Sequence, residues 1–206
     1  MAIEQNGTNR IRKITAAALA LFVFAVSLCG CGAQKSPETS LSIDKDGVIT
    51  SVLVENFDQD YYSLTELQDM VADEISYYNS EYTTPKISLE ESLVSEDGLA
   101  VLTMKYNSYI DYAHFNQMTF FYGTVDDAKD RGFAIDKDLV DTKGETGAID
   151  EIEDLGLRHV IIAGEKIGIS APFNISYMTK GVVLKDKKEA DLSQVTTDTV
   201  QLLLSK

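Results

Sequence analysis

Two histidines, two cysteines and 33 carboxylates are the side chains of this 206-residue chain from which a reaction centre could be built. His114 and His159 stand 45 positions apart, which excludes the paired imidazoles of an H-E-x-x-H zinc site. A nucleophile elbow needs G-x-S-x-G, whereas Gly168-Ile169-Ser170 runs into Ala171-Pro172. Gly144-Glu145-Thr146-Gly147 lacks the Lys-Ser/Thr ending of a phosphate loop. Carboxylate pairs occur at Glu90-Glu91, Asp126-Asp127 and Asp150-Glu151. Glycosidic chemistry requires such a pair about 5–10 Å apart across a cleft. Adjacency in the chain does not supply that, and these acids read as solvated surface. His114 follows Asp111 by three residues, so on a helix the carboxylate could orient the imidazole. Asp44 and Asp46 are spaced like two calcium ligands, but a third ligand before Gly47 and a closing Glu are missing, which favours a turn. No catalytic residue, metal site or cofactor is assigned. A non-enzymatic function is expected, with a carboxylate-based surface hydrolase as the alternative.

The cysteines carry a sharper message. Both lie in the opening stretch, as Cys29 and Cys31, so the remainder holds no disulfide and no thiolate. Arg10, Arg12 and Lys13 precede an apolar run from Ile14 to Leu28. As a helix those 15 residues reach about 22 Å, short of the ~30 Å hydrocarbon core. A basic start, an apolar centre of this length and a small-residue exit describe an export signal. Leu28-Cys29-Gly30-Cys31 resembles the lipobox of bacterial prolipoproteins, with Leu28 at −3, Cys29 at −2, Gly30 at −1 and Cys31 as the obligatory cysteine. The resemblance spans about the first thirty residues. It implies diacylglycerol on the Cys31 sulfur, cleavage between Gly30 and Cys31, and acylation of the new N-terminus. Two or more acyl chains give a stable anchor where one does not. An uncut signal anchor and ordinary secretory cleavage are the competing readings. The implied location is the extracytoplasmic side of a cell membrane, with residues 1–30 as signal peptide and 31–40 as a Gly/Ser/Pro-containing flexible tether.

Residues 41–206 then form a single domain. Without the first 30 residues, 176 remain with 15 basic and 32 acidic side chains. That balance argues against nucleic acid and against adhesion to anionic head groups. Expected partners are the membrane, through the lipid on Cys31, and a protein, cell-wall component or small ligand. A transporter's substrate-binding subunit would need two lobes, for which this length is short.

The fold class expected is α+β: mostly antiparallel sheet built from hairpins, with one long amphipathic helix and two short helices packed on it. Asp44–Gly47 and Glu96–Gly98 are hairpin turns between β-branched runs. Ser63 and Glu66 form a capping-box pattern before Leu64, Leu67, Val71, Ile75, Tyr78 and Tyr82, an apolar stripe that Pro85 ends. On this reading Val71→Asp unfolds the domain and Asp69→Lys does not. Tyr61, Tyr62, Tyr77 and Tyr78 are core or rim residues, or else an aromatic platform. Asn107 or Ser108 caps a short helix ending near Asn116, Thr119–Tyr122 is a strand, and Gly123-Thr124 opens a second short helix that Gly132 closes. Residues 136–157 read as loop with one helical turn near Asp150, and 157–186 as strand-rich, with Pro172 at an edge or bend. Thr199–Leu204 is a final strand. The stretch Asp111–Val125, "DYAHFN…FFYGTV", is similar to small lipoproteins of Gram-positive anaerobes, a likeness that implies location and no activity.

Overall fold

The computed structural model describes residues 37–59 and 62–205. Gly30, Cys31, the signal, most of the tether and Tyr61 lie outside the described residues. Among those described, no helix is long and apolar enough to cross a membrane.

The fold is α+β and mostly sheet, but with two sheets in place of one. The strands are β1 (Ser40–Ile43), β2 (Ile49–Asn56), β3 (Ile87–Val94), β4 (Leu99–Tyr106), β5 (Phe120–Thr124), β6 (Val140–Asp141), β7 (His159–Ala163), β8 (Gly168–Ser170), β9 (Ile175–Met178), β10 (Val183–Leu184), β11 (Glu189–Asp191) and β12 (Val200–Leu204). Seven form one sheet in the order β10-β11-β8-β1-β2-β4-β3, and five form the other, β5-β7-β12-β9-β6. Both expected hairpins are present. Asp44 Oδ1 accepts from the Asp46 and Val48 amides at 2.9 Å each, which closes the first turn and leaves Gly47 at φ +83°. Pairing is antiparallel except at one place: β1 and β8 run parallel, Leu41 beside Ile169. A hairpin cannot make that pairing; the chain returns to β1 only after laying down β5, β6 and β7 of the second sheet.

The larger core lies between the sheets, where Leu41, Ile49 and Tyr106 of the first meet Ile161, Leu202 and Leu204 of the second. A smaller core on the other face of the five-stranded sheet gathers Phe121, Val160, Ile162 and Leu203 under Val125, Leu139 and Ile149. This sheet is therefore covered on both faces, which is why Val160–Ala163 and Val200–Leu204 are buried without alternation. The final strand sits at its centre, between β7 and β9.

The helices are α1 (Leu64–Asn79), α2 (Tyr109–Asn116) and α3 (Val125–Asp130). Two short helices with the expected caps are found: Ser108 accepts from the Asp111 amide, and Thr124 forms a full capping box with Asp127. The long helix is less than expected. Ser63 accepts from the Glu66 amide, Ile75 is its single buried residue, and Tyr82 lies beyond its end and is exposed. It packs on the edge strand β3, where Asn79 receives the Lys86 and Ile87 amides and donates to the Ile87 carbonyl. A helix against one edge strand needs only a narrow contact, so the broad apolar face read from the sequence is not confirmed. Residues 136–157, expected as loop with one turn, also hold β6 and a second 3-10 turn at Leu155–Leu157. Two-residue pairings carry too little pattern to be legible in sequence.

Candidate binding surface opposite the first strand

Strand registers decide which loops share an end of the molecule. Antiparallel β2 sets Ile49 beside Ile43, β4 sets Tyr106 beside Ile49, and parallel β8 sets Ser170 beside Ser42. The Asp44–Gly47 turn, Asn107-Ser108 and the crossover after Ser170 therefore lie together. That crossover leads into β9, whose Ile175 faces Leu204, while Leu203 faces Val160 and His159 faces Thr124. The starts of β7 and β9 and the ends of β5 and β12 thus belong to the same end. Ser40, paired with Gly168 and with Val52 in the middle of β2, begins β1 three residues from that end.

Three depressions open on the loop-bearing end. One, of about 460 Å³, is walled by Tyr109, Phe121, Asp127 and Arg131. The Arg131 guanidinium lies 5.5 Å over the Tyr109 ring, which itself packs edge-on against Phe121 at 5.0 Å. A neighbouring one, of about 290 Å³, shares Tyr109 and Tyr122 and adds Asp46, Gly47 and His159. Here the His159 ring is stacked between Tyr122 at 5.3 Å and Phe173 at 5.5 Å. The Tyr122 hydroxyl is buried without a hydrogen-bond partner. Burial, and then the Asp44 charge, push its phenol up.

The third depression, about 590 Å³, lies where β7 and β9 begin and β12 ends. Arg158 and Lys187 bring positive charge to it, Asp141 and Asp186 negative charge, and Ile175, Tyr177 and Leu184 an apolar wall. Arg158 is held by its backbone, whose carbonyl accepts from the Val125 amide at 2.8 Å. Its Nε is buried with no acceptor. Tyr177 is placed by Gly147: a Cβ there would run into the tyrosine ring, so only glycine admits this approach.

The residues singled out from sequence are not brought together. Asp111 is buried and faces inward, accepting from Ser108 Oγ at 2.6 Å and from the Tyr78 hydroxyl at 3.3 Å, whereas His114 is exposed. The expected Asp111–His114 pairing is replaced by a structural bracket between α1 and α2. Glu90-Glu91, Asp126-Asp127 and Asp150-Glu151 sit exposed on β3, on α3 and on a 3-10 turn. Asp127 does line the first depression, but its carboxylate accepts from the Thr124 hydroxyl and amide, which hold it below the usual carboxylate range. That suits a cap and is opposite to the raised acid of a glycosidase. Of the four tyrosines, the three described are not gathered into a platform: Tyr62 stacks on Phe57, Tyr77 is exposed and Tyr78 turns inward. A separate polar cluster sits where Tyr112 donates to Glu165 and Asn116 donates to the Tyr106 hydroxyl at 3.4 Å. Burial pushes the Tyr106 phenol up to about 12.

Arg158, Tyr109, Tyr122 and the His159 stack were not found by reasoning from sequence. The available signal was Leu157-Arg158-His159-Val160, a cation and an imidazole at the mouth of a buried strand. Comparison with protein-family models, curated proteins and solved structures gives no match.

Proposed function

We propose that the chain is a bacterial lipoprotein, anchored through diacylglycerol on Cys31, whose folded part is a non-enzymatic binding domain on the extracytoplasmic side. The anchoring half of this reading rests on Leu28-Cys29-Gly30-Cys31 after a short apolar run. The binding half is supported by one observation above all: three depressions share the loop-bearing end of the body, while the chain before Ser40 runs the other way, Thr39 bonding to Val54. Eight residues lie between Cys31 and Ser40, and the nine steps between these two reach at most about 30 Å. From Ser40 the remaining three residues of β1 carry the chain a further ~10 Å to the loop-bearing end. The acidic body is repelled by anionic head groups, which favours presentation of the far end. A protein, a cell-wall component or a small ligand is the class of partner such a surface serves.

Two measurements test the halves separately. Mass spectrometry of the mature N-terminus is expected to find Cys31 carrying acyl mass, and Cys31→Ser is expected to release the protein from membranes. A mature chain starting elsewhere, or lacking acyl mass, sinks the anchor. Crosslinking and recovery from solubilised membranes is expected to capture a partner that Tyr109→Ala or Arg131→Ala weakens. Failure to capture one under several crosslinking regimes counts against the binding half.

A further inference from the structure

We propose that the cavity at Arg158 is a subsite for an oxyanion, a carboxylate or phosphate group borne by a small molecule that also has an apolar part. The inference rests on reading the loop-bearing end as a binding surface, and it supplies the chemistry of one ligand there.

The argument begins with an unmet donor. A guanidinium stays charged at any physiological pH and offers five N–H groups in a planar fork. A buried charged donor without an acceptor is costly to folding. Arg158 is half-buried, and its Nε is shielded and unpartnered. Scarcity of carboxylates is not the cause, since 33 acids face 18 bases in this chain. Among the described bases only Lys129, Lys137 and Lys185 take a carboxylate partner, and Arg158 differs from the rest in having a shielded donor. Among the described residues no carboxylate pairs with Arg158. The backbone bond to Val125 and the start of β7 fix where its stem leaves the sheet.

The surroundings fit the same occupant. Lys187 lines the cavity as a second cation. The two acids there are fixed by backbone amides and keep their charge, so the lining carries two positive and two negative groups. Asp141 accepts from the Lys143 and Glu145 amides at 2.8 and 3.0 Å, and Asp186 accepts from the Lys187 amide at 2.6 Å. Ile175, Leu184 and Tyr177 form a wall that a bare inorganic ion would leave unused. A group with two oxygens can take the fork bidentately while the remainder of the molecule covers that wall.

The test uses the full-length protein in detergent, titrated by calorimetry with inorganic phosphate, with N-acetylphenylalanine and with its neutral amide. One or both oxyanions are expected to bind saturably at one site, and the amide is expected not to. Phosphate alone, or the carboxylate alone, identifies which oxyanion source the site takes. Arg158→Lys keeps the charge and loses the fork, and should weaken binding at least tenfold; Arg158→Gln should abolish it. Lys105→Gln, an exposed change on β4, should leave it unchanged. No saturable binding up to about 10 mM overturns the proposal. So does equal binding of the amide, or undiminished binding by the Arg158 variants. Near-UV circular dichroism checks that each variant is folded, and if Arg158→Gln is not, Arg158→Lys decides. Acylated Cys31 with no oxyanion binding removes this inference alone, whereas oxyanion binding by an unacylated chain removes the anchor alone.

Discussion

Asp111 and His114 are neighbours on one turn of α2, yet their substitution should have very different consequences. Asp111 holds Ser108 and Tyr78 from a position that is 6% exposed, so Asp111→Ala leaves two donors unmet. The expected loss is about 1–3 kcal/mol in denaturant unfolding. His114 is exposed, and His114→Ala should stay within about 0.5 kcal/mol. Gly147 is the second residue with a large expected effect. The methyl of Gly147→Ala would enter the space of the Tyr177 ring, costing about 1–3 kcal/mol as the ring is displaced. Because Tyr177 lines the Arg158 cavity, the same change should weaken any ligand held there. Stability and ligand affinity measured on one variant check both effects.

Among the elements, β12 should matter more than α1, although α1 is three times as long. Every residue of β12 is buried, and its strand pairs on both sides. Leu202→Ala is expected to cost about 2–5 kcal/mol. In α1 only Ile75 is buried, and Val71 is half-buried. Val71→Asp should therefore be tolerated better than Ile75→Asp, a ranking that reverses the weight the apolar stripe placed on Val71. Equal unfolding midpoints for the two variants would contradict it. The caps make a finer comparison. Thr124 exchanges both bonds with Asp127, so Thr124→Ala should cost about 1 kcal/mol.

The whole molecule should lose stability at both extremes of pH, for opposite reasons. Hydrogen bonds from neighbouring N–H and hydroxyl groups lower the carboxyls of Asp127, Asp141 and Asp191 beneath their ordinary 3.8. Their contribution is present above that value and fades as pH falls through the lowered ones. Tyr106 is raised from 10.0 to about 12 by burial, which favours the neutral phenol. Its contribution is whole below pH 10 and is lost as pH climbs toward 12. Tyr112, raised by burial and by Glu165, acts in the same direction. The growing negative charge of an already acidic chain adds to the alkaline loss. Thermal midpoints followed with pH should fall together with the appearance of phenolate absorbance; a flat profile between pH 10 and 12 would show that these phenols are not held by the fold.

What the sequence determined by itself was local. Gly47 and Gly98 at positive φ, Ser108 and Thr124 as caps, and the apolar run of the final strand each act within a few residues, so their chemistry is visible in the order of the letters. The same holds for the lipobox resemblance, which is a short contiguous motif. Tertiary structure alone decided that β8 lies parallel to β1, that β12 runs at the centre of a second sheet, and that α1 packs mainly on an edge strand. It also gathered Arg158, Ile175, Leu184 and Lys187 around one cavity, and Tyr122, His159 and Phe173 in one stack. Periodicity states that a strand is buried without stating its neighbour, and burial is non-directional. Register across distant strands is what turns scattered residues into a site.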